Sequence, residues 1–155
     1  MAHRLVRGIK PDEMVALCRL WLSDDLPKNT ESRVIAIALR ALRKRTTLKA
    51  VVSYADPAAG HIGIIYQATG WLYTGLSDAM PRFDIGDGVP RHSRSLSSVY
   101  GTHSVEFISA NGVPVKTVPQ SKKHRYLYLL DTTLRDRLTV PVLPYPKMED
   151  SDARG

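Results

Sequence analysis

Side chains suited to acid-base or metal chemistry crowd one stretch of the chain, SYADPAAGHIGIIYQ at residues 53–67. Asp56 is suited to act as a general base, a metal ligand or an orienting group, and Tyr66 as a general acid or a metal-facing phenol. Ser53 belongs to the same polar group. Structural roles stay open as well, because an Asp can close the turn before Pro57 and a Tyr ring can fill the core. We predict the functional site here, with Asp56, Tyr66 and Ser53 as its catalytic candidates.

A second candidate site lies in SDDLPKNTESR, where a predicted strand meets a long predicted helix. Backbone amides at the start of a helix lack intrahelical partners and attract anions. The polar side chains beside them are those of Lys28, Asn29, Ser32 and Arg33. Capping residues before a helix are common, however, and this stretch has no glycine-rich loop. Pyrophosphate binding and plain helix capping therefore both stay open on local sequence alone.

The charge balance favours an anionic partner. The 155 residues include 22 Lys and Arg against 15 Asp and Glu, a formal net charge of +7. Nucleic acid or a phosphate-rich cofactor would suit such a chain. Basic residues in the second half of the chain are predicted to contact the phosphate backbone of a nucleic acid, namely Arg82, Arg91, Arg94, Lys122, Lys123 and Arg125. The alternative is solvated charge that keeps strand edges from associating.

Several classes of protein are excluded by motif and composition. The single cysteine, Cys18, leaves no intramolecular disulfide or cysteine-rich metal site, and its apolar surroundings predict core packing. The five histidines lack HxxxH spacing, and no GxSxG, GxxxxGK[ST] or GxGxxG motif occurs. No apolar run approaches the roughly 20 residues of a membrane span, and the N-terminus does not resemble a secretory signal. We therefore expect a cytoplasmic protein with no membrane partner.

Strands and helices alternate around the predicted site, which indicates an α/β fold with a mainly buried sheet. The Leu48–Gly75 segment forms the core of this fold, with the order strand, loop, helix and strand. The predicted elements are a strand within 14–22 that includes Leu20–Leu22, a helix over 31–45, a strand over 48–54, a short helix over 61–69 and a strand over 71–74. The long helix is predicted to bury one face, formed by Ile35, Ala38, Leu39 and Leu42.

The rest of the chain alternates between turns and short elements. Asp87-Gly88 is a turn pair that predicts a hairpin over 82–91. The other predicted elements are a short helix over 93–100, strands over 115–118 and 126–130, a helix from a cap at Asp131 to Arg137, and an extended segment over 141–147. Residues 148–155 are predicted to fray, so we expect one domain over 1–147 with a disordered tail.

Long blocks of this sequence resemble the Mom family of bacteriophage DNA-modification proteins, which have an acetyltransferase-like (GNAT-type) fold. The matching blocks are RLWLSDDLPKNTESR (19–33), VVSYADPAAGHIGIIYQATGWLYTG (51–75), HRYLYLLD (124–131) and PYPK (144–147). Their order and spacing also match, so the resemblance covers about 14–147. It implies an α/β domain in which helices flank a mixed, twisted sheet.

The resemblance also implies an activity. Family members convert the exocyclic amine of adenine in DNA to a carbamoylmethyl-type adduct, which shields phage DNA from host restriction. The cofactor implied is acetyl-CoA, and iron is associated with the family. Carried over by motif, Arg19, Asn29 and Ser32 would lie near the CoA phosphates, and Asp56 and Tyr66 would belong to the catalytic or metal centre. Double-stranded DNA would be the partner, with the target adenine flipped out of the helix.

One departure from the family pattern concerns the N-terminal side. Family members carry a substantial segment ahead of the RLWL block, including a His-Tyr-Ser motif, whereas 18 residues precede Arg19 here and no HYS occurs. The resemblance therefore implies a domain without its first strands. Three explanations stay open: a misplaced gene start, a separate N-terminal polypeptide that supplies the missing part, or a shortened protein that binds without catalysing. An exposed sheet edge would also favour pairing with a second copy or another partner. Two alternatives stay open: a noncatalytic DNA-binding or complex-forming remnant, and a GNAT-like acyltransferase acting on another amine.

Overall fold

The computed structural model describes residues 2–79, 81–102 and 104–147, with all their side chains except those at 92–94. Its α/β part begins with a strand, a helix and a second strand. Strand β1, Met14–Leu17, pairs in parallel with β2, Ala50–Ala55, so that Met14 lies opposite Ala50. Helix α1, Thr30–Arg45, connects them. The predicted βαβ arrangement is confirmed.

The first strand was predicted too late in the chain. β1 ends at Leu17, opposite Ser53, and residues 18–22 form no regular structure. Leu20–Leu22 is therefore not a strand, and the Trp21 side chain is 80% exposed. Cys18 is exposed too, so its predicted place in the core is also wrong. The apolar run extends over residues 14–22, but β2 pairs only with Met14–Leu17, so the rest of the run lies outside the sheet.

The main sheet has four strands in the order β1-β2-β7-β3, where β3 is Leu72–Leu76 and β7 is His124–Leu129. β7 runs antiparallel to both of its neighbours. β1, β2 and β3 consequently run in the same direction, and their carboxyl ends meet at one edge. With α1 and the short helix α2, Ile64–Ala68, the sheet forms the predicted mixed α/β architecture, compatible with an acetyltransferase-like fold.

Helix α1 forms as its apolar spacing predicts. Ile35 and Leu39 are buried and Leu42 packs against the same cluster, but Ala38 is exposed, so its predicted place on the buried face is wrong. Basic residues fill the last turn, where they interact favourably with the helix dipole. The strong one-sided pattern explains why this element was predicted to within one residue.

Two apolar clusters cover the two faces of the sheet, because successive strand residues point to opposite sides. One cluster joins the sheet to the N-terminal segment, with Leu5, Val6, Ile9, Val52, Leu127, Leu129 and Leu134 as members. The other joins it to both helices, with Ile35, Leu39, Val51, Ala55, Tyr66, Trp71, Tyr73 and Tyr126 as members. The second cluster is the aromatic one, and it lies beneath the predicted site.

Residues 78–122 form a compact unit separate from the unit of 1–77 and 123–155. Its three-stranded antiparallel sheet has the order β5-β4-β6, and its elements are β4 (Arg82–Asp84), β5 (Arg91–His92), α3 (Ser93–Tyr100), α4 (Val105–Ala110) and β6 (Lys116–Val118). The predicted hairpin and the helix over 93–100 are confirmed. Helix α4 was not predicted.

Other predictions differ by a few residues. The short helix starts at Ile64 instead of His61, because Gly63 takes a positive φ of 82° just before it. Asp131 caps a 3-10 helix, Thr132–Arg137, by accepting the Thr133 amide at 3.1 Å, as predicted. The predicted tail at 148–155 lies outside the described residues, and the single domain stays a prediction. In the described part of the chain, no helix is long and apolar enough to cross a membrane.

Candidate active site

Ser53 and Tyr66 meet in a buried hydrogen-bond chain. Ser53 is fully buried on β2, and its hydroxyl oxygen lies 2.8 Å from both the Leu17 carbonyl oxygen and the Tyr66 hydroxyl. A serine has one hydroxyl proton and a carbonyl can only accept, so Ser53 donates to Leu17 and Tyr66 donates to Ser53. The chain of hydroxyls ties the end of β1 to β2 and α2.

The Tyr66 ring fills the core. It is 8% exposed and packs against the rings of Trp71 and Tyr126, with centroid distances of 5.0 and 5.2 Å. Trp71 is fully buried, and among the described residues its indole N–H has no hydrogen-bond partner. The core role left open for Tyr66 is therefore observed, while its hydroxyl still reaches Ser53.

Asp56 closes the turn that follows β2. Its Oδ1 accepts the Ala58 amide at 3.0 Å, and its Oδ2 lies 3.5 Å from the Lys123 ammonium nitrogen. The side chain is 33% exposed, so the carboxylate is open to solvent at the edge where β1, β2 and β3 end. The structural role left open for Asp56 is thus also present, together with a lysine partner that the sequence did not assign to it.

A tyrosine and a histidine at the same edge were missed by sequence reasoning. The Tyr73 hydroxyl lies 2.9 Å from Nδ1 of His124, which stands opposite Ala55 in the sheet. Burial raises the pKa of Tyr73, opposed in part by the charge of Arg125, and lowers the pKa of His124. At neutral pH the pair is therefore a protonated phenol and a neutral imidazole. The alternation in HRYLY, which puts His124 and Tyr126 on one face, was the available signal.

This pair makes stability depend on pH. The folded pKa of His124 lies below the roughly 6.5 of an unfolded histidine, so the unfolded chain binds more protons between these two values. We expect stability to fall as the pH drops through this window. Denaturant unfolding at pH values above and below this window should show a shallower pH dependence of the free energy of unfolding for His124→Gln than for the wild type. Equal dependence in the wild type and His124→Gln would contradict the assignment.

The other face of this edge is basic but internally bonded. Arg125 donates from Nε to the Thr74 hydroxyl at 2.8 Å and from a terminal nitrogen to the Thr74 carbonyl at 3.0 Å. Lys123 faces Asp56, as described. Two of the predicted DNA-binding residues, Lys123 and Arg125, therefore lie at the candidate site and already have partners within the fold.

The remaining predicted DNA-binding residues lie in the second unit. The guanidinium of Arg91 forms two hydrogen bonds to the carboxylate of Asp87 and holds the pKa of that carboxyl well below its usual range. Arg82 and Lys122 are exposed, and the side chain of Arg94 lies outside the described residues. DNA binding by this set stays a prediction.

The predicted phosphate site is a shallow pocket of about 370 Å³ at the start of α1. Lys28 and Asn29 line it, but so do the carboxylates of Asp24 and Glu31. Asn29 has a φ of 67°, and its side chain does not cap the helix. The Thr30 amide donates to the Pro27 carbonyl, which leaves the Glu31 and Ser32 amides of the first turn without a side-chain acceptor among the described residues. These amides and Lys28 fit a phosphate group, although the two carboxylates reduce the positive potential. Three other predicted cofactor residues do not line the pocket: Arg19, Ser32 and Arg33.

The residues near Asp56 do not fit an iron ion. Among residues 2–79, 81–102 and 104–147, no group of three or more His, Cys, Asp and Glu side chains is placed to hold a metal. The two Asp56 oxygens face the Ala58 amide and the positive charge of Lys123. A ligand set centred on Asp56 therefore cannot be completed from the described residues, and iron stays a prediction.

Comparison with known proteins agrees with the resemblance noted from the sequence. The model of the Mom protein family matches residues 1–147. The chain is 32% identical over 136 residues to methylcarbamoylase mom of Escherichia phage Mu, a match that covers 84% of this chain and 55% of that protein. The chain thus spans little more than half the length of this relative. Since the family model covers nearly the whole sequence, the chain belongs to the Mom protein family.

Proposed function

We propose that this chain takes part in the modification of bacteriophage DNA, as a transferase that builds a carbamoylmethyl-type group on the exocyclic amine of adenine. The observation that carries the proposal is the family match over residues 1–147, which contains every candidate site residue. The similarity to a methylcarbamoylase and the net charge of +7 support it. Such an adduct would protect phage DNA by making the adenine unrecognisable to host restriction nucleases.

Asp56 is the best-placed acid-base group for this reaction. Its carboxylate is partly exposed at the sheet edge, and Lys123 faces one of its oxygens and favours the ionised form. In the proposed mechanism, the adenine nitrogen displaces the leaving group from the carbon of the donor, and Asp56 accepts the proton that the amine loses. Tyr66 and Ser53 position this end of β2 through their buried hydrogen bond. The adenine has to leave the duplex stack for its amine to reach a carboxylate in this position.

Acetyl-CoA is the proposed cofactor, and its phosphates are assigned to the first turn of α1. Lys28 and the backbone amides of Glu31 and Ser32 supply donors there, and the side chains of Ser32 and Arg33 lie at the end of this first turn. When bound, acetyl-CoA would supply an activated two-carbon unit with the coenzyme A thiol as its leaving group, and a second donor has to supply the amide nitrogen of the product. No step is assigned to iron, because the described residues do not complete a site for it.

The noncatalytic alternative rests on a specific observation. All three predicted catalytic residues have structural partners: Asp56 closes a turn, and Ser53 and Tyr66 bond to each other in the core. A chain that had kept only DNA binding or assembly would also retain these contacts, because they stabilise the fold.

Expression in bacteria separates the two proposals. Digested genomic DNA is analysed by mass spectrometry, and the purified chain is titrated with acetyl-CoA in a calorimeter. We expect a modified adenine that is absent from the empty-vector control. Unmodified DNA together with salt-sensitive DNA binding would support the noncatalytic alternative. Modification that arises only when the upstream reading frame is co-expressed would show that a second polypeptide completes the enzyme.

A further inference from the structure

Two adjoining pockets open at the end of the sheet remote from Asp56. They have volumes of about 410 and 300 Å³, and Arg43 and Thr132 line both. We call the combined depression the Arg43 groove. Lys49 and Thr47 line its first pocket, and Tyr128 and Arg135 line the second.

Arg43 is held in place by two contacts. Its Nε donates to the Leu130 carbonyl oxygen at 3.0 Å, and its guanidinium carbon lies 6.0 Å from the centre of the Tyr128 ring. Both contacts leave the two terminal nitrogens of the guanidinium for other partners. Within the described ranges no carboxylate forms a salt bridge with Arg43 or Arg135. The groove therefore presents the positive charges of Arg43, which is held in place, and of Arg135, and no described carboxylate is paired with either.

The remaining groups of the groove favour an anion with several oxygen atoms. Lys49 is paired with Glu13 at 2.8 Å, and the Asp131 carboxylate is occupied by the amide and hydroxyl of Thr133. The hydroxyls of Thr47 and Thr132 make no hydrogen bond to other described residues and can donate to a ligand. Guanidinium and hydroxyl donors are the groups with which proteins most often hold phosphate oxygens.

We propose that the Arg43 groove binds the phosphate backbone of DNA, as a contact separate from the candidate active site. The inference rests on the proposed function for its choice of ligand. The other candidate contacts support this choice, because Arg91, Lys123 and Arg125 already bond to Asp87, Asp56 and Thr74. Arg43 and Arg135, in contrast, form no salt bridge with a described carboxylate.

The length of β2 would let one DNA duplex contact both the Arg43 groove and the sheet edge at Asp56. Lys49 and Asp56 flank β2 and are seven positions apart, which at about 3.3 Å per residue of extended chain is about 23 Å. Phosphates of one DNA strand recur at about 3.4 Å along the helix axis, so the two positions lie about seven base pairs apart. A duplex that contacts both positions is aligned along the direction of β2.

The proposal is tested by measuring how the Kd for a fluorescein-labelled DNA duplex depends on salt concentration. The duplex is longer than the distance between Lys49 and Asp56. The groove variant combines Arg43→Gln with Arg135→Gln, and the control combines Arg4→Gln with Arg40→Gln, two exposed arginines outside the groove. Both lose the same charge. Each lost phosphate contact lowers the slope of log Kd against log salt by about one, so we expect a fall of about two for the groove variant only.

Three outcomes would overturn the proposal. Equal changes in the two double variants would show that only total charge matters, and an unchanged slope in the groove variant would show that DNA does not touch it. Loss of coenzyme A binding with an unchanged DNA slope would assign the phosphate chemistry to a cofactor. If the double variant does not fold, Arg135→Gln alone tests the proposal, because the Arg135 side chain makes no hydrogen bond to the described residues. The assay measures binding only, so a failure of the proposed reaction does not affect it.

Discussion

Replacing Gly63 by alanine is expected to lower the free energy of unfolding by about 2–5 kcal/mol. The left-handed backbone at this position, with φ of +82°, costs a residue with a Cβ about 1–2 kcal/mol. A Cβ here would also lie 2.3 Å from Cε2 of the Tyr126 ring, and overpacking of this kind costs about 1–3 kcal/mol. Urea unfolding of the purified chain measures the sum.

The Tyr126 ring has little freedom to move away from a new methyl group. It is fully buried between the rings of Tyr66 and Tyr73, at centroid distances of 5.2 and 5.3 Å. Its hydroxyl donates to the Ile62 carbonyl and accepts from the Gln67 side-chain amide at 3.1 Å. A shift of the ring would break these hydrogen bonds, so the ring cannot relieve the contact with the new methyl group without a further loss of stability.

Gly60→Ala is the matched control. Gly60 has a φ of +74°, almost that of Gly63, but a Cβ there would meet no atom within 4 Å. Only the backbone cost of about 1–2 kcal/mol is expected. Equal losses in the two variants would show that the Tyr126 ring yields and that close packing does not explain the glycine at 63.

The second large effect is expected for Asp56→Asn, which should reduce adenine modification by about 10²–10⁴-fold. Asparagine keeps an oxygen that accepts the Ala58 amide, and it caps as well as aspartate, so the turn should survive. The exposed pair with Lys123 contributes at most about 1 kcal/mol to stability. The variant should therefore fold almost normally and fail only in chemistry, as measured by mass spectrometry of digested DNA.

Lys123→Gln is the control for the ion pair. It removes the partner charge and leaves the carboxylate, so it should reduce modification far less than Asp56→Asn does. Full activity in Asp56→Asn would refute the base role and leave Asp56 as a turn residue. Loss of activity together with loss of folding would show that the charge is needed for the fold itself.

Periodic elements were predictable because their pattern extends over many residues. α1 repeats its apolar spacing through sixteen residues, so the error at any one position, such as Ala38, does not move the helix. β1 is only four residues long, and its position within an apolar run is set by its register with β2, which the sequence does not reveal. The register places Leu17 opposite Ser53 and excludes Trp21.

The candidate site was found only in part for a similar reason. Asp56 and Tyr66 stand out by residue type in one short segment. The same segment also predicted their structural roles, a turn for Asp56 and core packing for Tyr66. The partners come from distant strands: Tyr73 and His124 are 51 residues apart, and Lys123 reaches Asp56 across the sheet. The alternation in HRYLY places His124 and Tyr126 on one face of a strand, but it does not indicate the strand order β1-β2-β7-β3 that brings these groups together.

The contrast between the two tryptophans gives the chain a built-in optical reporter. Trp71 is fully buried against the Tyr66 ring, whereas Trp21 is 80% exposed. An indole in apolar surroundings emits at shorter wavelength than one in water, so the two emission bands should separate. In a Trp21→Phe variant, fluorescence would come from Trp71 alone and would follow the packing around Tyr66 as ligands are added.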